Sequence, residues 1–311
     1  MKSTVTRRQF LSTAALGVGA ALTPTPGRAV EPFQRPSPPR LRLSLAAYSF
    51  REYFRDASHT REREVDASKK IDLFQFIDFC AAQSCDGAEL TSYYFPPNAN
   101  DEFLLKLKRH AIVHGVSISG TAVGNTFTHP EGKDRQREIA LVKKWINNAA
   151  VMGAPHIRIF AGSAPRGINH DEAKKFCIGA IEECATLAGQ KGVFLGIENH
   201  GGIVEEPKEL LDIIQTVKSP WVGINLDTGN FHTDDPYRDL ELCAPYAVNV
   251  QIKSEMQRRR GGMEPADLKR MIGILRKANY QGFVALEYEA KPDPWQQVPQ
   301  LLKELRTLMA A

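Results

Sequence analysis

The feature that most constrains this chain is an alternation. Short runs rich in branched apolar residues alternate eight times with longer segments whose apolar residues recur at helical spacing. The pattern predicts strands at Leu41–Phe50, Gly87–Leu90, Val116–Val123, His156–Phe160, Val193–Glu198, Val222–Asp227, Val248–Lys253 and Phe283–Tyr288. Between them it predicts helices at Ile71–Ser84, Asp101–His114, Arg135–Met152, Asp171–Gln190, Pro207–Val217, Pro236–Cys243, Pro265–Ala278 and Trp295–Met309. Pro207, Pro236 and Pro265 each follow an acidic residue and open a helical pattern, where a missing N–H costs nothing. Gly115, Gly153, Gly192 and Gly282 stand where helices end or turn toward the next strand. Eight β-then-α units predict one closed parallel (β/α)8 TIM barrel. An open doubly wound sheet is the competitor, but no glycine-rich phosphate loop follows the first run.

The ends of the chain set the organisation. Residues 1–30 carry Arg7-Arg8 ahead of Phe10-Leu11, a mild apolar run from Ala14 to Leu22, and a small-residue exit at Ala29. These are the parts of an export signal of the twin-arginine type, which predicts a periplasmic or otherwise extracytoplasmic protein. The apolar run falls short of the ~20 residues that a membrane span needs, so no stable membrane insertion is expected. Residues 31–40 form a proline-rich linker that cannot hold a helix. Residues 41–311 remain for the barrel, an ordinary length for it.

The formal charge of +4 comes from 40 basic and 36 acidic residues. Residues 1–30 hold Lys2, Arg7, Arg8 and Arg28 and no acid, so the rest sums to 4 − 4 = 0. A neutral body carries no electrostatic footprint for nucleic acid. Homo-oligomerisation stays open. The five cysteines, Cys80, Cys85, Cys177, Cys184 and Cys243, are odd in number and sit among apolar neighbours. Cys177 and Cys184 would lie roughly 10 Å apart on one helix, too far for a disulfide.

Strand parity points to the chemistry. Alternate residues of a strand face opposite sides. Val193, Leu195 and Ile197 share one face of the fifth run, opposite Gly196 and Glu198. Asn225 and Asp227 oppose Ile224 and Leu226 in the sixth; Asn249, Gln251 and Lys253 oppose Val248, Val250 and Ile252 in the seventh. In the eighth, Phe283, Ala285, Glu287 and Glu289 oppose Val284, Leu286 and Tyr288. Glu89 and Arg158 join from the second and fourth. Polar groups thus face inward at the C-terminal strand ends, where barrels keep their active sites. Several buried carboxylates repel unless something positive is shared among them. A hard divalent cation on oxygen ligands answers that, with Mn²⁺ or Mg²⁺ favoured and Co²⁺ or Zn²⁺ as alternatives. A layer of salt bridges from Glu198 and Glu287 to Lys253 and Arg158 answers it as well.

The segments Gly196-Ile197-Glu198-Asn199-His200, Asn225-Leu226-Asp227-Thr228-Gly229-Asn230, Val250-Gln251-Ile252-Lys253 and Ala285-Leu286-Glu287-Tyr288 resemble the metal-site segments of the xylose-isomerase-like barrels, the sugar isomerase/epimerase family. The resemblance spans roughly residues 41–311. It implies one divalent metal on Glu198, Asp227, Gln251 and Glu287, with glutamine standing where the family has histidine. It also implies Glu198 and Glu287 as an acid–base pair for proton transfer beside a carbonyl. His200, Asn230, Lys253, Arg158, Glu89 and Tyr48 are then expected around the substrate, a small carbohydrate. The run Arg258-Arg259-Arg260-Gly261-Gly262 is expected as a solvated loop. A lyase or hydrolase on 3-keto-glycosides, or a non-catalytic carbohydrate-binding barrel, would use the same constellation. A nuclease of this superfamily would need a histidine-rich cluster, and the chain has eight histidines, mostly away from the strand ends.

Overall fold

The computed structural model describes residues 30–58 and 65–311. The signal-like segment therefore lies, apart from Val30, outside the described residues. Seven strands come first in the chain: β1 (Arg40–Ala46), β2 (Gly87–Thr91), β3 (Ser117–Ala122), β4 (His156–Ile159), β5 (Phe194–Glu198), β6 (Val222–Asp227) and β7 (Ala247–Ile252). A short antiparallel pair follows, β8 (Glu255–Gln257) with β9 (Met263–Pro265), and then β10 (Gln281–Leu286). The barrel closes in the order β1-β10-β7-β6-β5-β4-β3-β2, every pairing parallel. Helices α1 (Leu73–Ala82), α2 (Asp101–Val113), α3 (Lys133–Met152), α4 (His170–Lys191), α5 (Pro207–Thr216), α6 (Pro236–Cys243), α7 (Leu268–Lys277) and α8 (Pro294–Ala310) fill the connections. This is the single (β/α)8 barrel that the alternation predicts.

Local chemistry sets the helix ends. Asp72 and Asn169 each cap a helix, and their backbone N–H groups donate in return to the Gln75 and Glu172 side chains. Gly153 and Gly192 end α3 and α4 with φ of 79° and 68°, a conformation glycine adopts without steric cost. Three expectations shift. The first strand stops at Ala46, and Ala47–Phe50 turn as a 3₁₀ helix. Gly282 lies inside β10. The seventh helix starts at Leu268, because Asp267 caps it by accepting from the Arg270 N–H at 2.9 Å. Pro265 belongs to β9 instead, and Arg258–Gly262 form the turn of that hairpin. Arg258 pairs there with Glu264, and Arg259 with Glu206, so the expected solvated loop is tied down.

The apolar core lies between barrel and helices. Leu43, Leu45, Ile157, Ile159, Leu195, Ile197, Ile224, Leu226, Val284 and Leu286 are buried in it. All five cysteines are free and buried. The barrel interior is polar: Ser44 and Ser119 share a 2.7 Å hydrogen bond, and Glu89, His156, Asn225, Asn249 and Gln251 are buried above them. The register shift between Ala88 and Glu89 brings Gly120 opposite Glu89. A β carbon on Gly120 would lie 1.9 Å from His156 Cε1, so glycine is what gives that ring its room. Gly120→Ala is expected to cost about 3 kcal/mol in a denaturant titration, the upper range of overpacking in a tight interior. A cost within about 0.5 kcal/mol would show that the His156 ring can move aside.

The proline-rich segment is bound rather than free. Val30 is buried, the Phe33 N–H donates to Pro245 O, and the Phe33 ring meets Phe194 edge-on at 5.9 Å. Asn279 and Gln281 donate to the carbonyls of Arg35 and Ser37. These partners sit at the N-terminal ends of β5, β7 and β10, so residues 30–40 cover the end of the barrel opposite the carboxylates. Among the described residues no helix is long and apolar enough to cross a membrane.

Candidate active site at the carboxyl end of the barrel

A cleft of about 320 Å³ opens at the C-terminal end, lined by Tyr48, Tyr93, Arg158, Phe160, Glu198, His200, Asn230, Lys253, Glu287 and Glu289. Seven of these residues are among those the sequence proposes. Glu198 ends β5, Lys253 and Glu287 directly follow β7 and β10, and Tyr48 lies in the turn after β1. A cleft of about 450 Å³ at the other end, beneath the proline-rich segment, is lined by no carboxylate.

Glu198 is 3 % exposed and held from two sides. Its Oε2 is 2.8 Å from Arg158 Nε, and its Oε1 accepts from Asn230 Nδ2 at 2.9 Å. Burial pushes its carboxyl up, the Arg158 charge pulls it down, and Glu287 pushes it up again, leaving it at about 7. Arg158 also donates to Val123 O and lies 3.9 Å from the centre of the Phe160 ring. Burial works against its charge, but Glu198, Tyr93 and Glu287 outweigh that and raise it. The His200 imidazole packs 4.5 Å from Phe160 and is lowered by burial and then by Arg158, which keeps it neutral at pH 7.

Lys253 organises the other half. Its ammonium lies 2.8 Å from Glu287 Oε2, 3.2 Å from Asp227 Oδ2, and against Glu289. Burial would strip its charge, yet Asp227, Glu287 and Glu289 together raise it well above the usual lysine range. Asp227 itself is raised, first by burial. Its Oδ1 accepts from the Gly229 N–H at 2.8 Å. Tyr93, Phe160 and Glu289 are the cleft residues outside that expected set. Parity had placed Glu289 on the inward face, three residues beyond the end of β10.

Three expected site residues lie deeper: Asp227, which is fully buried, Glu89 and Gln251. Glu89 is fully buried, with its carboxylate accepting from Asn249 Nδ2 at 2.7 Å and Gln251 Nε2 at 2.6 Å. It holds the barrel interior together and does not face the cleft, which corrects its assignment to the substrate. Gln251 is committed at both ends. Its Oε1 accepts from Asn225 Nδ2 at 2.6 Å, while Nε2 donates to Glu89 and, at 3.3 Å, to Glu287 Oε1. The amide cannot be turned round, since its oxygen would then abut two carboxylates. Gln251 therefore shows Glu287 a donor, and this corrects its reading as an oxygen ligand.

The donor set accordingly does not fit the divalent metal that the resemblance implies. All six oxygens of Glu198, Asp227 and Glu287 already face a donor or cation of the chain: Arg158, Asn230, the Gly229 N–H, Gln251 and, twice, Lys253. The Asp227 Oδ2–Lys253 and Glu198 Oε2–Arg158 Nε contacts are the weakest, being ion pairs without hydrogen-bond geometry. A divalent ion shared by Asp227 and Glu287 would also stand beside that ammonium. Unit charges 4 Å apart interact by about 4 kcal/mol near a protein surface, and a double charge doubles it. Among the described residues, the one trio of histidine, cysteine or carboxylate groups with ligand atoms within 4.8 Å of one another is Asp78 on α1, His110 on α2 and His114 just after it. His110 Nε2 is 2.6 Å from Asp78 Oδ1 there, and the two imidazoles stack at 4.3 Å.

A fold of this order is shared with known proteins. The family described as xylose isomerase-like TIM barrel matches residues 77–305, and the chain belongs to that family. Among solved structures, a D-psicose 3-epimerase determined with D-fructose superposes with a TM-score of 0.67 at 16 % identity, over 86 % of this chain and 97 % of that one. The IOLI protein with a bound zinc atom gives 0.67 at 16 %, over 86 % and 96 %. The 3-keto-D-glucoside 4-epimerase YcjR from E. coli gives 0.63 at 15 %, over 86 % and 100 %. At such identities the likeness is one of fold. None of the curated proteins matches this chain.

Proposed function

We propose that this barrel is an isomerase or epimerase of a small unphosphorylated keto sugar or keto glycoside, acting by proton transfer at a carbon beside a carbonyl. The observation that carries this reading is the pair Glu198 and Glu287. The two carboxylates line one cleft from β5 and β10, and each rests against its own cation. One carboxylate takes the proton from the carbon, the electron pair moves toward the carbonyl oxygen, and a carboxyl returns a proton to the other face or the neighbouring carbon. A group titrating near neutrality, as Glu198 does, suits both giving and taking.

The lining supports the substrate class. Three carboxylates, Glu198, Glu287 and Glu289, face two cations already paired to them, so among the described lining residues no positive charge is left for a phosphate. Tyr48, Tyr93 and Phe160 offer aromatic faces to sugar C–H groups. The neighbours named for D-psicose and a 3-keto-D-glucoside fit the same class. Elimination from a keto glycoside is the second reading. The Tyr48 phenol, pushed up to about 12 by burial and then by Glu289, keeps its proton in the cleft and could give it to a departing oxygen.

Calorimetric titration with neutral ketoses, 3-keto-glycosides and their phosphorylated counterparts tests the assignment. Neutral ligands are expected to bind more tightly than their phosphates by about tenfold, or about 1.4 kcal/mol. Tighter binding of the phosphates would overturn it.

A further inference from the structure

Lys253 is fixed along its whole length. Its backbone N–H donates to Thr228 Oγ1 at 2.9 Å, while the Thr228 N–H donates back to Gln251 O at 2.9 Å. Its stem passes over Gly229, where a β carbon would come within 2.7 Å of its Cγ. Its ammonium ends against three carboxylates from two strands, and the residue is 6 % exposed, on the lining of the cleft. The Asp227-Thr228-Gly229 turn thus supplies a charge partner, a backbone anchor and the room for the chain between them.

We infer that Lys253 is the resident cation of this site, standing among Asp227, Glu287 and Glu289 in place of a divalent metal, so that the barrel end takes up no metal ion. Three observations meet here. Lys253 bridges the two carboxylates that a shared ion would need. Gln251 presents Glu287 with an N–H instead of an oxygen. The four oxygens of Asp227 and Glu287 each face a donor or cation within the chain. The occupancy stands on geometry alone; the catalytic role that follows rests on the proton-transfer reading. In that role the substrate carbonyl oxygen takes over from Glu289, the exposed member of the three, the N–H of Lys253 that faces it. The C–H bond beside it breaks, its proton goes to a carboxylate, and its electron pair forms the enediolate double bond. The negative charge then sits on the oxygen facing the ammonium. Return of a proton from a carboxyl to carbon reverses the flow, and no electrons are gained or lost overall.

The test measures metal directly and needs no substrate. The full chain carrying His110→Gln and His114→Gln, which remove the separate surface trio, is purified and its Mn, Mg, Co and Zn content measured. It is then titrated with Mn²⁺ by calorimetry and by thermal unfolding. The expected result is substoichiometric metal, no heat of binding and an unchanged Tm. Lys253→Met in that background empties the cradle of its charge and is expected to gain Mn²⁺ binding, seen as a Tm that rises with Mn²⁺. If that variant does not fold, metal content and titration of the chain with Lys253 intact still decide. Stoichiometric metal there, lost on Glu287→Gln, overturns the inference. A chain that binds no metal and also shows no proton exchange on any keto sugar would overturn the proposed reaction and leave the assignment of Lys253 supported.

Discussion

Glu198→Gln is expected to slow exchange of the substrate's carbon-bound hydrogen with solvent by about 10²–10⁴-fold, the range of a lost general acid–base group. The substitution keeps shape and removes only the ability to carry the proton. Asn230 can still approach the amide, so the loss should appear in kcat rather than KM. Glu287→Gln should act similarly, but it also removes one of the three charges around Lys253 and is expected to lower Tm. If the glutamine at position 198 retained rates within about threefold of the parent, catalysis by this carboxylate would be excluded. Rate and binding are separated by following exchange at saturating substrate.

Arg158→Met is expected to destabilise the barrel by about 3–5 kcal/mol, because it leaves a buried carboxylate without its cation. Arg158 lies 2.8 Å from Glu198, donates to Val123 O and packs on Phe160, and the substitution removes all three contacts. Arg158→Lys should recover part of the charge but not the planar contact with the ring. Urea unfolding of the three proteins, compared at equal slope, measures the difference. A methionine variant as stable as the parent would mean that Glu198 is satisfied by Asn230 alone.

Parity along the strands makes much of this site legible in the sequence alone. Glu198, Asp227, Lys253, Glu287 and Glu289 all fall on the inward face because a strand alternates with a period of two. Parity reports the face, however, and says nothing of height along the barrel axis. Glu89 and Gln251 share the inward face but lie one layer down, tied to Asn249 and Asn225 by pairings 160 and 26 residues apart in sequence. No local pattern encodes such contacts. The reach of Lys253 was hidden for a different reason. Its four-carbon stem can point anywhere until Thr228 and Gly229 are known to fix it. The proline-rich segment reads as a linker because it lacks helix and strand signals. Its docking depends on Phe33, Arg35 and Ser37 meeting groups more than 150 residues away. The start of α7 was misjudged by reading Pro265 as a first helical residue when Asp267 offered the better cap.

The measurement that bears most directly on the central claim is deuterium incorporation from solvent into neutral ketoses and 3-keto-glycosides, followed by NMR. With the parent chain, deuterium is predicted at the carbon beside the carbonyl, and the product separates epimerisation or isomerisation from elimination. The label should be lost in both Glu198→Gln and Glu287→Gln. Incorporation that persists undiminished in those variants, or no incorporation into any member of the panel, would contradict the assignment of these two carboxylates as the proton-transfer pair.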